Sequence, residues 1–465
     1  MRWAALEALS SQIIGMLSYF ILARLLGPEP FGLVAMAAVF TLALNLLAGM
    51  GIQQAIIQNG SIDNRDLNGA FWLGALLALV TGAIGVFVSG WIARIYDQPQ
   101  IAEVFPWLVG TVVLNQLSAV QSAALQKAML FKSLAIRGAL SSLLGCSLGI
   151  LMAVKGFGIW SLVGQQLAAA LTGTLILWAA SPWKPGLAVS WSGLKNLVGF
   201  GLQVQAFSLM TLISGQLDKF LIGYLLGPKE LGWYAFAYKM LEAINNVVVN
   251  SGMKVSLPVF SKLQDNPEQL SAQYYEFVRH TAAIAFPIFL ALGVSAPQLI
   301  PWVFGEHWQI SSVIFQVLCV LGILQSVNFY TMSALLALGK PGSRLLLISL
   351  HALVNGLFIL AVAGYGIVAV ALAFTARAWL LYPLGLAMLS RYLPFTLAKL
   401  FSTLTKPLLQ VSLGAGLYFV TLSYLKNYPE AMLITCLLCF VPLAQAFYRY
   451  GLRYLPSRLR LSTPG

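Results

Sequence analysis

Leu25-Leu26-Gly27-Pro28-Glu29-Pro30-Phe31-Gly32 returns 200 residues later as Leu225-Leu226-Gly227-Pro228-Lys229-Glu230-Leu231-Gly232. Each copy joins two long apolar segments. A repeat at this spacing decides the architecture before any local reading does. It says that one membrane bundle was built twice. Two homologous bundles facing each other across a central cavity form a transporter layout.

Composition supports a lipid setting for both copies. Of the 465 residues, 59% are hydrophobic and only 9% are charged, and the mean hydropathy is +0.83. That much apolar surface excludes a soluble globular chain. The net charge of +13 does not point to nucleic acid, because the basic residues fall in alternate loops rather than in one patch. The first apolar stretch exceeds a signal-peptide core and lacks a small-residue cleavage site, so it reads as a retained span. Cys146, Cys319, Cys436 and Cys439 all lie in apolar segments. Cys436 and Cys439 have zinc-like spacing, but no second Cys/His pair accompanies them, and they read as small buried residues on one helix face. No metal site and no cofactor are expected. No Gly-rich loop of the GxxxxGK type is present, which argues against direct use of ATP.

Apolar windows of about 20 residues mark spans. They lie at 4–25, 33–57, 69–93, 104–126, 134–154, 160–180, 196–226, 233–256, 279–304, 310–338, 343–362, 367–389, 407–425 and 430–448. The segment 257–278, between the eighth and ninth windows, reads as a loop with a short amphipathic helix. Fourteen spans place both termini on one side. Of the 27 lysines and arginines, nineteen then share a side with the termini, five lie opposite and three fall within spans. The positive-inside rule makes the richer side cytoplasmic. No external segment is long enough to hold a catalytic domain, so an enzyme is not expected.

The repeat continues past its opening motif. Gly156-Phe157-Gly158-Ile159 precedes the sixth span, and Gly364-Tyr365-Gly366-Ile367 precedes the twelfth. Ser122-Ala123-Ala124-Leu125 matches Ser333-Ala334-Leu335-Leu336. The expected fold class is therefore an all-α polytopic membrane protein of about fourteen transmembrane helices. Residues 1–180 form a six-helix N-lobe and 196–389 its C-lobe counterpart. Residues 407–449 add a helix pair outside the repeat.

Further segments carry a family resemblance: Ala23-Arg24-Leu25-Leu26-Gly27 with Phe31-Gly32, Leu125-Gln126-Lys127 with Phe131, and Gln216-Leu217-Asp218-Lys219 with Leu226-Gly227. Later come Leu257-Pro258-Val259-Phe260-Ser261-Lys262-Leu263-Gln264-Asp265 and Val303-Phe304-Gly305-Glu306-His307-Trp308. Their order and spacing resemble the multidrug/oligosaccharidyl-lipid/polysaccharide exporter superfamily. Within it the chain is similar to Wzx-type polysaccharide flippases of the colanic-acid branch. One departure is the start, where span 1 begins almost at Met1 and the family carries a short basic leader. The resemblance implies an inner-membrane flippase that moves a polyprenyl-diphosphate-linked oligosaccharide from the inner to the outer leaflet by alternating access, for exopolysaccharide or lipopolysaccharide biosynthesis. With no nucleotide site visible, energy is expected from an ion gradient (H+ or Na+) or the membrane potential, and a polysaccharide polymerase with chain-length machinery is expected as a partner. The rivals are an ion-coupled drug/cation antiporter of the same superfamily, and a membrane-embedded polysaccharide polymerase or ligase.

Ionisable groups within spans are costly, about 2.5–3.5 kcal/mol each on insertion scales, and mark candidate sites. Lys239, Glu242, Asn246, Asn250 and Lys254 follow helical spacing along the eighth span and form one polar stripe. Gln205, Ser208, Gln216 and Lys219 do the same on the seventh. Two readings stand for these charges. Asp218 with Lys239, and Lys219 with Glu242, lie at matching depths across a hairpin and could neutralise each other. Alternatively, a lysine exchanges its carboxylate for a substrate diphosphate. Arg377 has no acid within one turn, and suits either a diphosphate or a carbonyl of a neighbouring helix. Arg24 snorkels to the interface or faces the cavity. Glu7 reads as an interfacial carboxylate or a cation-coupling acid. Asn45 and Asn245 hold equivalent repeat positions and either bond between helices or line the cavity. The N-lobe lacks counterparts of the charged residues, so the C-lobe is expected to read substrate charge, and Tyr19 and Gln12 to meet sugar.

Overall fold

The computed structural model describes residues 2–58, 63–405 and 407–409. These are helical almost throughout, with no strand among the described residues. The helices run α1 (Arg2–Leu26), α2 (Pro28–Gly49), α3 (Ile52–Gln58), α4 (Asn64–Tyr96), α5 (Pro99–Leu117), α6 (Ala119–Lys127), α7 (Phe131–Val154) and α8 (Ile159–Ala180). Then follow α9 (Trp191–Leu226), α10 (Pro228–Val248), α11 (Asn250–Lys262), α12 (Pro267–Phe304), α13 (Gln309–Ala337), α14 (Pro341–Val362) and α15 (Ile367–Leu389). Residues 410–449, which hold most of the expected additional helix pair, lie outside the described residues.

Ten stretches among the described residues are long and apolar enough to cross a membrane. Of the twelve expected windows that fall within the described residues, two are not among them. The first survives as the shorter apolar helix Ser11–Leu26. The eighth corresponds to α10 and α11, whose polar stripe dilutes their hydropathy. The expected loop over 257–278 is also corrected. α11 runs on to Lys262, and α12 starts at Pro267 and continues unbroken to Phe304. Its start is fixed by Asn266, whose side chain accepts from the backbone N–H of Gln269 at 3.1 Å, with Pro267 in the first turn.

α4 sets the membrane frame of its half. It is capped by a reciprocal box in which Asp63 accepts from the Asp66 N–H at 2.8 Å and Asp66 accepts from the Asp63 N–H at 3.3 Å. Trp72 and Trp91 are both exposed on it, and nineteen residues of helix separate them by about 28 Å, close to the thickness of a hydrocarbon core. Tryptophans at that spacing suit the two interfacial belts.

The chain divides into two compact units, Met1–Ala235 and Phe236–Gly465. In the first, α7 packs against α1 and α8, α5 against α2, α4 and α8, and α9 against α2, α3 and α4. In the second, α13 packs against α12, α11 and α15, and α14 lies along α15.

The repeat motif makes the same turn twice. Gly27 and Gly227 adopt φ of 73° and 93°, a region where a Cβ is penalised, and Pro28 and Pro228 then open the next helices. The two copies also meet. A Cβ placed on Gly32 would overlap the Pro228 carbonyl, and one on Gly232 would overlap the Pro28 carbonyl. The helices cross with main chain against main chain, as small residues permit.

Candidate functional site

Three of the expected spans are not single helices. The second is interrupted where Met50 and Gly51 take left-handed φ of 36° and 63° between α2 and α3. The fourth is interrupted at Ser118, between α5 and α6. The eighth is interrupted at Val249, which divides the expected stripe: Lys239, Glu242 and Asn246 lie on α10, and Asn250 and Lys254 on α11.

An interruption at membrane depth frees backbone carbonyls, and these must be satisfied or line a polar space. In the first unit both solutions occur. Thr174 Oγ1 donates to the Leu114 carbonyl at 2.9 Å, and Trp178 Nε1 to the Leu117 carbonyl at 3.0 Å. Gln205 of α9 donates its amide to the Leu46 carbonyl. Beside these interruptions lies a cavity of 560 Å³. Its walls come from α2, α3, α5, α6, α7 and α9, with Leu177 of α8.

The cavity is rich in carboxamides. Asn45 faces it from α2, Gln53 and Gln54 from α3, and Asn115 and Gln116 from α5. Gln126 of α6 and Gln205 of α9 complete the set, with the hydroxyls of Ser118, Ser122 and Ser208 between them. Among the described residues lining it there is no carboxylate and no aromatic ring, and Arg137 near the start of α7 is the one charged side chain. Arg137 Nε is buried without a hydrogen-bond partner among the described residues. A space with one cation, no anion and many amides can hold a polar, hydroxyl-bearing or anionic group. It offers a cation no counter-charge.

Of the sequence-derived candidates, Arg24, Asp218 and Lys219 belong to the first unit and the other five to the second. Lys239 pairs with Glu242 one turn along α10, at 3.2 Å, with both side chains about half exposed. Asp218 is buried and accepts from Tyr234 Oη at 2.7 Å. Lys219 is half-buried, and Asn246 and Arg24 are exposed. The side chain of Asn250 is outside those described. Arg377 is buried between α14 and α15, where its Nη1 donates to the His351 carbonyl at 2.7 Å and its guanidinium lies 4.7 Å from the centroid of Phe374. The carbonyl of a neighbouring helix is thus one partner of Arg377. The three of the first unit, Arg24, Asp218 and Lys219, do not line the described cavity.

Asn45, Gln205 and Ser208, singled out in the sequence, do line it. Arg137 and the other amides were missed, because the search weighed ionisable groups inside spans. The available signal was the density of amides in Gln53-Gln54, Asn115-Gln116, Gln121 and Gln126, at matching ends of two apolar windows.

Comparison with known proteins adds the lineage of this scaffold. Residues 21–338 match the family model described as polysaccharide biosynthesis protein. The lipopolysaccharide biosynthesis protein WzxC of Escherichia coli (strain K12) is 25% identical over 333 residues, which cover 70% of this chain and 67% of that protein. The succinoglycan biosynthesis transport protein ExoT of Rhizobium meliloti (strain 1021) is 26% identical over 307 residues, covering 66% of this chain and 62% of its own length. The chain thus matches about two thirds of the length of these relatives. Among solved structures, the lipid II flippase MurJ in an inward closed conformation superposes with a TM-score of 0.73 at 14% identity, over 97% of this chain and 99% of that one. That likeness is one of fold.

Proposed function

This chain belongs to the polysaccharide biosynthesis protein family, and from that premise we propose that it is a flippase for a polyprenyl-diphosphate-linked oligosaccharide. It moves the headgroup from the inner to the outer leaflet by alternating access while the polyprenyl tail stays in lipid. The observation that carries the reading is the amide-lined cavity, with no carboxylate and Arg137 as the one charged side chain among its described wall residues. A guanidinium can bind phosphate oxygens bidentately, and amides suit sugar hydroxyls. A cationic drug would gain nothing there, which weighs against the antiporter. The headgroup is carried without covalent change, and no enzymatic step is assigned.

In this reading residues 1–180 and 196–389 are the two rocking lobes, and the helix pair of 407–449 lies beside them. The chain sits in the bacterial inner membrane with both termini cytoplasmic, as the charge bias supports. An H+ or Na+ gradient supplies the energy, and a polymerase with chain-length machinery takes the product. Lys239 exchanges Glu242 for the diphosphate in part of the cycle.

The test uses cells lacking the chain, complemented by wild type or Arg137→Gln. Without complementation, single repeat units on polyprenyl diphosphate accumulate on the inner face. Wild type clears them, and the variant, equally abundant in the membrane, does not. Repeat units accumulating on the outer face would overturn the reading in favour of a polymerase or ligase. No accumulation, with altered sensitivity to cationic drugs, would overturn it in favour of the antiporter.

A further inference from the structure

The repeat places an asparagine–glutamine pair in each unit. Asn45 of α2 and Asn245 of α10 are 200 residues apart in equivalent positions. Each meets a glutamine on a neighbouring helix of its own unit, Gln116 of α5 in the first and Gln325 of α13 in the second.

The two pairs differ in kind. Asn245 is buried, and its Nδ2 donates to Gln325 Oε1 at 2.9 Å, an ordinary strong geometry. Gln116 Nε2 instead divides its donation between Asn45 Oδ1 at 3.4 Å and the Asn45 carbonyl at 3.5 Å. Both contacts are longer than the usual 2.7–3.2 Å, so little is lost on exchanging them. Both residues of this pair face the cavity.

We propose that Asn45 and Gln116 are the sugar-reading pair of the cavity, opening to hand their amides to hydroxyls of the glycan, while Asn245 and Gln325 stay closed and hold their unit together. The inference rests on the flippase reading and names the part of the substrate that this cavity takes. The chemistry favours sugar over phosphate. A carboxamide both donates and accepts, as a hydroxyl does, whereas a phosphate needs donors alone. Gln54, Asn115 and Gln126 extend the same two-way surface around the pair. With no aromatic ring among the described lining residues, the sugar is read along its hydroxyl edges and not by stacking on its faces.

The test is a binding titration on the full chain in lipid nanodiscs. One probe is the polyprenyl-diphosphate glycan extracted from cells lacking the chain, and the other is bare polyprenyl diphosphate. Wild type binds the glycan-bearing lipid more tightly. The double variant Asn45→Ala/Gln116→Ala loses roughly tenfold of that preference, the worth of about two weak neutral hydrogen bonds, and keeps its affinity for the bare lipid. Asn245→Ala/Gln325→Ala lowers the melting temperature and leaves the preference unchanged. Gln54→Ala, an exposed wall residue whose loss should not disturb the fold, lowers the preference several-fold. If the double alanine variant loses bare-lipid binding through misfolding, Gln54→Ala decides. An unchanged preference in a folded Asn45/Gln116 variant, or in Gln54→Ala, overturns the sugar subsite. A wild-type chain that binds neither lipid overturns the flippase reading instead.

Discussion

Gly32 and Gly232 provide the sharpest mechanical test of the repeat. Each faces the carbonyl of the other motif's proline, Pro228 or Pro28, with no space for a methyl group. The obstacle is main chain, so no rotamer change can relieve it. Gly32→Ala or Gly232→Ala must therefore push the first turns of α2 and α10 apart. Overpacking of this kind costs about 1–3 kcal/mol. Alanine returns up to about 1 kcal/mol through its better helix propensity. The net expectation is a loss of about 1–2 kcal/mol for each single variant. The double variant should lose less than the sum, because the first methyl already opens the gap that the second needs. Gly90→Ala on α4 is the control, since a Cβ there meets nothing within 4 Å. It should be neutral or slightly stabilising. The assay is thermal unfolding of the detergent-solubilised chain, followed for the four variants side by side. Single variants that match Gly90→Ala would refute the close crossing. Strict additivity in the double variant would refute the shared gap.

Other outcomes follow from the charged residues. Arg377→Ala should lower stability by about 2–4 kcal/mol in the same unfolding assay, since a buried charged hydrogen bond and a ring contact are both lost, and Arg377→Lys by less. Glu242→Gln should cost under about 1 kcal/mol, because its bond to Lys239 is about half exposed; a loss of about 2.5–3.5 kcal/mol would mean that the stripe faces lipid. Gln54→Cys should react with a membrane-impermeant thiol reagent in inverted vesicles and not in intact spheroplasts; the opposite pattern would reverse the proposed orientation.

How far the site was legible can be argued residue by residue. Gln205 and Ser208 were visible because their spacing repeats on one face of a helix. Asn45 and Asn245 were visible as a matched pair, but their difference was not. One bond is 2.9 Å and buried, the other 3.4 Å and open to a cavity, and nothing in the local sequence separates them. Arg137 was only one of the nineteen cations on the side of the termini, because its role depends on where α7 lies beside the interrupted helices. Lys239 was matched to Asp218 by depth alone. A helix places residues three apart on one face, and Glu242 pairs with Lys239 there.

By itself the sequence determined the solvent, the helical class and the duplication, because hydropathy, span length and an internal repeat are properties of the chain read in order. It also determined the turns at Gly27-Pro28 and Gly227-Pro228, whose geometry is local. Only the tertiary structure decided where spans are interrupted, which amides converge, and that Arg377 caps a carbonyl while Arg137 faces a cavity. Those outcomes depend on how closely and at what rotation helices approach, and that is set by contacts between residues far apart in the chain, such as Gly32 against Pro228.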